Sequence, residues 1–183
     1  MEVHPGLADG LTRLAGLLEN LGIPFCVAGG WAVGMWAAPR ATEDIDLLVI
    51  LGAGDRERVR EALEREMRLV QSHDAPFSLG IVSVWRNVVF LEGGAEPVVL
   101  DFILAEHPVL AGMLARRVRI PFRGIPLPVI SLEDLILLKV LSSRPQDRLD
   151  VEALVAAGHP LDRGYLASAA RGLGVALPGP LAP

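Results

Sequence analysis

Two aspartates, Asp44 and Asp46, stand in a run that otherwise has the composition of a buried strand, EDIDLLVI over 43–50. Strand side chains alternate faces with a period of two, so both carboxylates leave the same face as neighbours. Like charges at the mouth of an apolar strand repel, and each makes the other harder to ionise. A cation between them relieves that repulsion, and carboxylate oxygens are the donors magnesium takes. The run therefore predicts a divalent-ion site beside a core strand and, with it, a phosphate-bearing substrate.

The 183 residues fit one domain, or one domain with a small helical appendage. A hydrophobic fraction of 51% is enough for a good core and leaves apolar surface for a partner or a twin subunit. The net charge of −5 gives no broad basic footprint for nucleic acid, although Arg116, Arg117, Arg119 and Arg123 could form a local patch. The single cysteine, Cys26, lies in an apolar run and reads as core packing, with no disulfide framework. The N-terminus has no basic region followed by an apolar block, so no signal peptide is expected. The longest uncharged stretch, 25–39, is broken by a glycine pair and is short for a membrane span of about 20 residues. A cytoplasmic protein with no membrane partner is the expectation.

The pattern along the chain is mixed α/β followed by helices. Residues 7–22 have apolar positions at helical spacing and end on Gly22. Residues 23–28 read as a first buried strand, 29–38 as a turn and short helix stopped by Pro39, and 43–50 as the second strand. A charged surface helix is expected over 55–67, strands within 80–94 and over 97–105, and an irregular strand or hairpin over 116–131, punctuated by Pro121, Pro126 and Pro128. Ser131 is a candidate cap for a helix over 131–143, and two more helices are expected over 147–158 and 161–174.

Gly29 and Gly30 come directly after the first strand and open the helix. Glycine there lets backbone approach a ligand, and the free amides of a helix start attract phosphate. Taken alone, the pair is most simply a tight turn. The aspartate pair on the next strand shifts the balance, because a phosphate cradle beside a metal dyad is what phosphoryl and nucleotidyl chemistry needs. Asp101, inside VVLDFIL, is the third acid. An unpaired carboxylate in a core strand is expensive. It is neutralised, finds an arginine, or joins Asp44 and Asp46 around metal; the aspartate pair favours the metal. An arginine already quenching these acids would remove that argument.

The run GG (29–30), DID (44–46) and a lone Asp in a later strand resembles the DNA polymerase β-like nucleotidyltransferase superfamily. The helical end, EDLILLKVLSSRPQDRLDVEAL (133–154), is similar to the small bacterial branch of AbiEii-type toxins and MNT-like nucleotidyltransferases. The resemblance runs from about Val27 to Leu154. It implies an α/β (α+β) nucleotidyltransferase fold: a short mixed β-sheet flanked by helices (1–130), a C-terminal helical segment completing the cleft (131–175) and a loose tail (176–183). It also implies transfer of a nucleoside monophosphate from an NTP, ATP among them, to an acceptor hydroxyl with pyrophosphate release. The acceptor would be a tRNA, a protein or a small molecule. Asp44 and Asp46 would hold two magnesium ions, Asp101 would bind the catalytic metal and serve as base or orienter, and Gly29 and Gly30 would hold the terminal phosphates. Many superfamily members carry serine after the first glycine; here that position is Gly30, followed by Trp31, which leaves backbone amides to do the work. The rival implication is a non-catalytic nucleotide-binding or protein-interaction member, such as a toxin–antitoxin component with a small antitoxin-like partner, or a homodimer.

Lys139 is the chain's only lysine, in the apolar helix LILLKVL. It is either a side chain snorkelling at a helix edge or, as the resemblance suggests, a compact charge aimed at triphosphate. Asp147 and Asp150 share a helix face. They serve as N-terminal charge pairing, or Asp147 serves the site, as an acid in this region does in the related toxins; Asp150 reads as structural. Arg40 and Thr42 are in reach of phosphate, though Arg40 could equally neutralise Glu43. Arg144 and Arg148 face substrate or solvent. The four histidines, His4, His73, His107 and His159, are scattered and read as surface residues, and the chain contains no Gly-Lys-Ser/Thr phosphate loop.

Overall fold

The apolar runs around Cys26, Leu47 and Leu100 become neighbouring strands in the middle of one mixed sheet. The computed structural model describes residues 5–39, 41–94 and 96–181, which form seven α-helices and eight strands. In chain order, α1 (Pro5–Asn20), β1 (Phe25–Val27), α2 (Gly29–Trp36) and β2 (Asp44–Val49) come first. They are followed by α3 (Asp55–Glu66), β3 (Arg68–Ser72), β4 (Phe77–Leu79), β5 (Val82–Phe90) and β6 (Pro97–Leu104). Then come α4 (Pro108–Ala115), the hairpin β7 (Val118–Phe122) and β8 (Ile125–Val129), and finally α5 (Leu132–Ser142), α6 (Pro145–Ala156) and α7 (Arg163–Leu173).

The strand order is β3-β5-β6-β2-β1-β8-β7, with β4 also paired to β5. The β2–β6 and β1–β8 pairs are parallel and the others antiparallel. Ile45, Leu47 and Val49 on one face of β2 are completely buried, as are Leu100 and, nearly so, Phe102 on β6. Asp44 and Asp46 occupy the opposite face, so alternation along β2 separates core from site. Among the described residues, no helix is long and apolar enough to cross a membrane.

Two parts of the chain escape the sequence pattern. The sheet is longer than the short one expected, because residues 68–79 contribute β3, largely exposed and without strict alternation, and β4, three residues too short for a pattern to identify. Helix α4 is equally hidden: its eight residues are too uniformly apolar for a helical period to show. The tail expected to be loose is anchored instead. Leu181 is buried, its N–H donates to Pro178 O at 2.8 Å, and Arg163 Nη1 donates to Pro180 O at 3.1 Å. One apolar side chain that reaches the helices is enough to fix a stretch stiffened by prolines.

The helical end is tied together, and to the end of α4, through Asp134, which is fully buried. It accepts hydrogen bonds from Arg116 Nε (3.2 Å), Ser131 Oγ (2.8 Å) and the Tyr165 hydroxyl (2.5 Å). The Arg116 guanidinium also lies over the Tyr165 ring at 3.5 Å. Ser131 caps α5 as its position predicts, accepting from the Asp134 N–H. Cys26 is a core residue, and burial pushes its thiol up to about 12, which makes it inert.

Asn87 on β5 is completely buried, and neither polar atom of its side chain has a hydrogen-bond partner among the described residues. An unsatisfied buried amide costs about 1–3 kcal/mol, so Asn87→Leu, of similar size, is expected to raise unfolding stability by that order. Urea unfolding of the two proteins checks it.

Candidate active site

The parallel pairing of β2 with β6 sets Asp46 directly beside Asp101. Neighbours in register point to the same face, and Asp44 lies two residues back on that face. The three acids picked out by sequence reasoning are therefore adjacent. The glycine corner is bonded to the same place: the Ala28 N–H donates to Asp46 O at 2.9 Å, and Trp31 Nε1 donates to Asp44 O at 3.1 Å. Trp31 is buried and packs edge-on against Phe122, so it belongs to the core and offers no stacking surface to a nucleotide.

Gly29 opens α2 with φ of +57°, and a Cβ there would sit 1.8 Å from Asp46 Oδ2. Glycine is thus required twice, for a left-handed backbone and for the approach of a carboxylate. Gly30 is buried in the first helical turn. Ala28, at the N-cap, supplies no side-chain hydrogen bond, so the first-turn amides of α2 are not capped by that residue. They remain suited to an anion.

The three carboxylates differ sharply in their surroundings. Burial, then the charges of Asp44 and Asp101, push Asp46 from its ordinary 3.8 up to about 7, against the weaker opposing pull of Lys139 and Arg144. Asp46 has no ion pair or side-chain hydrogen bond among the described residues. Asp44 accepts from Thr42 Oγ1 at 2.8 Å, so the Thr42 hydroxyl, expected near phosphate, orients Asp44. Asp101 is held bidentately by Arg86, with Nε–Oδ1 at 2.8 Å and Nη2–Oδ2 at 2.6 Å. Arg40 lies outside the described residues.

Among the described residues, no three acidic, histidine or cysteine side chains converge on one point. Asp44 and Asp46 nevertheless fit a hard divalent cation: they are half-buried oxygen donors on one face, and Asp46 is destabilised as an anion for want of a counter-charge. Arg86 is the quenching arginine that counts against a metal role for Asp101, whose forked edge is open to the same ion when that contact is given up.

Lys139 neither snorkels nor points freely into the cleft. It is buried, with Nζ 2.9 Å from Asp147 Oδ1 and 2.8 Å from Asp150 Oδ2. Arg144, largely exposed, donates from Nε to Asp147 Oδ2 at 2.8 Å. Burial works to raise Asp147, but hydrogen bonds from Arg144, Lys139 and Ser142 hold it well below the usual carboxylate range. Arg144 also feels the charges of Asp46 and Asp44, so the start of α6 lies within electrostatic range of the triad. A largely apolar cavity of about 510 Å³ adjoins this network, lined by Lys139, Asp147, Arg148, Val151, Val155 and Leu181. A larger groove of about 880 Å³, between α1, β3 and the β5–β6 turn, touches none of these residues.

A family model described as the nucleotidyl transferase AbiEii toxin of type IV toxin–antitoxin systems matches residues 14–175. The chain belongs to this family. As an AbiEii-type nucleotidyltransferase it also shares its fold with solved structures. An antigenic nucleotidyltransferase-like protein from Paracoccidioides brasiliensis is similar with a TM-score of 0.64 at 18% identity, over 93% of this chain and 88% of that one. ANT(2")-Ia in complex with adenylyl-2"-tobramycin gives 0.59 at 16%, over 92% and 98%. The lincosamide adenylyltransferase LnuA, lincomycin-bound, gives 0.53 at 13%, over 86% and 99%. No curated protein matches the sequence significantly.

Two charged residues beside these groups were given no part in the site by sequence reasoning. Asp150, read as structural, is the second carboxylate on Lys139. Arg86 was not singled out, although a lone charge inside VSVWRNVVF is the kind of break in an apolar strand that drew attention to Asp101. The arginine cluster of β7 and its flanks is not an open basic patch. Arg116 pairs with Asp134 and Arg123 with Asp9, Arg119 lies 3.8 Å from Glu19, and Arg117 donates to Leu114 O.

Two outcomes follow from the Asp46 environment. A carboxyl whose folded value is raised stabilises the fold while protonated and loses that contribution as pH rises from about 4 through about 7. Without metal, Asp46→Asn is therefore expected to melt higher than the parent at pH 8 and alike at pH 4. Gly29→Ala should cost about 1–2 kcal/mol from the left-handed backbone alone, and more from the collision with Asp46; thermal unfolding measures both.

Proposed function

We propose that the chain transfers a nucleoside monophosphate from an NTP to an acceptor hydroxyl, with pyrophosphate leaving, using magnesium held by Asp44 and Asp46. The observation that carries this is the β2–β6 register, which sets Asp46 beside Asp101 under the glycine corner. When bound, the cation supplies Lewis-acid charge at the phosphate oxygens, and two ions would divide that work between attacking and leaving oxygens. The residues provide the remainder. The first-turn amides of α2, at Gly29 and Gly30, receive terminal phosphate oxygens. Thr42 keeps Asp44 oriented. Asp101, freed from Arg86, orients the acceptor hydroxyl and takes its proton as the new P–O bond forms and the bond to pyrophosphate breaks. Lys139 supports Asp147 and Asp150, and Arg144 offers an exposed guanidinium to the triphosphate.

Of the three acceptors, a small molecule is best supported. The arginines that would face tRNA are already engaged. The 510 Å³ cavity against Lys139 and Asp147 is in the size range of small-molecule sites. A toxin role, with a small antitoxin partner, is the biological context that the family suggests. The Arg86–Asp101 clamp favours one alternative, a non-catalytic nucleotide-binding member.

Pyrophosphate release from each NTP with magnesium, in the presence of amino-alcohols, of tRNA or of protein, tests the proposal. Release with an amino-alcohol, reduced about a hundredfold or more by Asp44→Asn or Asp46→Asn, is the expected result. Magnesium-dependent NTP binding without release from any acceptor would select the non-catalytic alternative.

A further inference from the structure

Arg86 and Asp101 face each other across the antiparallel β5–β6 pair. The guanidinium covers both carboxylate oxygens, at 2.8 and 2.6 Å. Such a forked, charge-assisted contact is among the stronger polar interactions in a protein. Its two ends differ in freedom: the Asp101 side chain is 11% exposed, whereas that of Arg86 is 42% exposed. Asp101 is fixed in the sheet, and Arg86 can leave. The Arg86 guanidinium carbon lies 5.5 Å from the centre of the half-buried Phe77 ring on β4, which offers the cation an aromatic face away from Asp101's hydrogen bonds. Asp44 and Asp46 have no such clamp among the described residues; Asp44 meets only a hydroxyl, and Asp46 only like charges and distant cations.

We propose that Arg86 is a positioning residue that competes with the divalent cation for Asp101: it keeps the third carboxylate out of the metal site until a cation and nucleotide displace it. The proposal rests on the metal site at Asp44 and Asp46 proposed above. It follows from lone-pair accounting. A carboxylate forked by a guanidinium has one lone pair on each oxygen occupied on the forked edge, so a cation recruiting Asp101 from that edge must displace Arg86. In the resting chain, Arg86 also limits the repulsion that a free Asp101 would add to Asp46. Its release on cation binding would leave a guanidinium at the rim of the cleft, where the triphosphate arrives.

Manganese binding, followed by electron paramagnetic resonance of the free ion with and without ATP, tests this independently of turnover. Arg86→Gln is expected to bind manganese about tenfold tighter than the parent, the scale of losing one charged hydrogen-bonded contact. Arg86→Lys, with a point charge in place of a fork, should fall between them. It also serves as the folded control should Arg86→Gln prove unstable. In an Asp101→Asn background, removing Arg86 should no longer change the affinity. Equal or weaker affinity in both Arg86 variants, with manganese still lost in Asp46→Asn, would overturn the competition and leave the metal site standing. Absence of manganese binding in every variant would overturn the metal site and the competition together.

Discussion

The parallel hydrogen-bonding of β2 to β6 is the constraint on which the site depends. It is an ordinary ladder between two apolar strands, and its register decides which residues are neighbours. With Ile45 against Leu100 and Leu47 against Phe102, the buried face is continuous and water is excluded from it. The same register leaves Asp46 against Asp101 on the other face. A shift of one residue would turn the apolar set outward and the acids inward, and hydrophobic burial forbids it. The energy that fixes the acids therefore comes from the other side of the sheet, and the site itself is free to be unfavourable.

It is unfavourable in a graded way. The described acids of the cleft are Asp44, Asp46, Asp101, Asp147 and Asp150, and the cations set among them are Arg86, Lys139 and Arg144. The cations are not shared evenly. Asp147 is surrounded by donors and held strongly ionised, while Asp46 is left to burial and like charge. A neutralised wall and an electron-rich corner thus lie side by side. The wall needs nothing further, and the corner needs a counter-charge from outside the chain. Gly29 sharpens the contrast, because the missing Cβ is what lets backbone rather than side chain cover the Asp46 carboxylate.

Much of this was legible in the sequence, for local reasons. Apolar runs identified β2 and β6, and period-two alternation put Asp44 and Asp46 on one face. The Gly pair marked the strand-to-helix corner, and Ser131 marked the start of α5. The elements that escaped notice were those whose surroundings are set from a distance. β3 has no continuous apolar face, β4 is only three residues long, and both exist because β5 offers them an edge. α4 is short and uniformly apolar. The tail holds because Leu181 finds the helices. Arg86 was passed over, and Asp150 was named without its partner, for the same reason: a charge in a strand or helix has no meaning until its partner is known.

The sequence by itself determined the alternation, the glycine corner and the single lysine, because each is written within one turn of helix or a few strand residues. Which charge answers which was decided only in three dimensions. Arg86 reaches Asp101 across a strand pair, Thr42 turns its hydroxyl to Asp44, and Lys139 is enclosed by two acids of the next helix. Electrostatic partners are chosen by distance and burial in the folded chain, and neither quantity is carried by the order of residues.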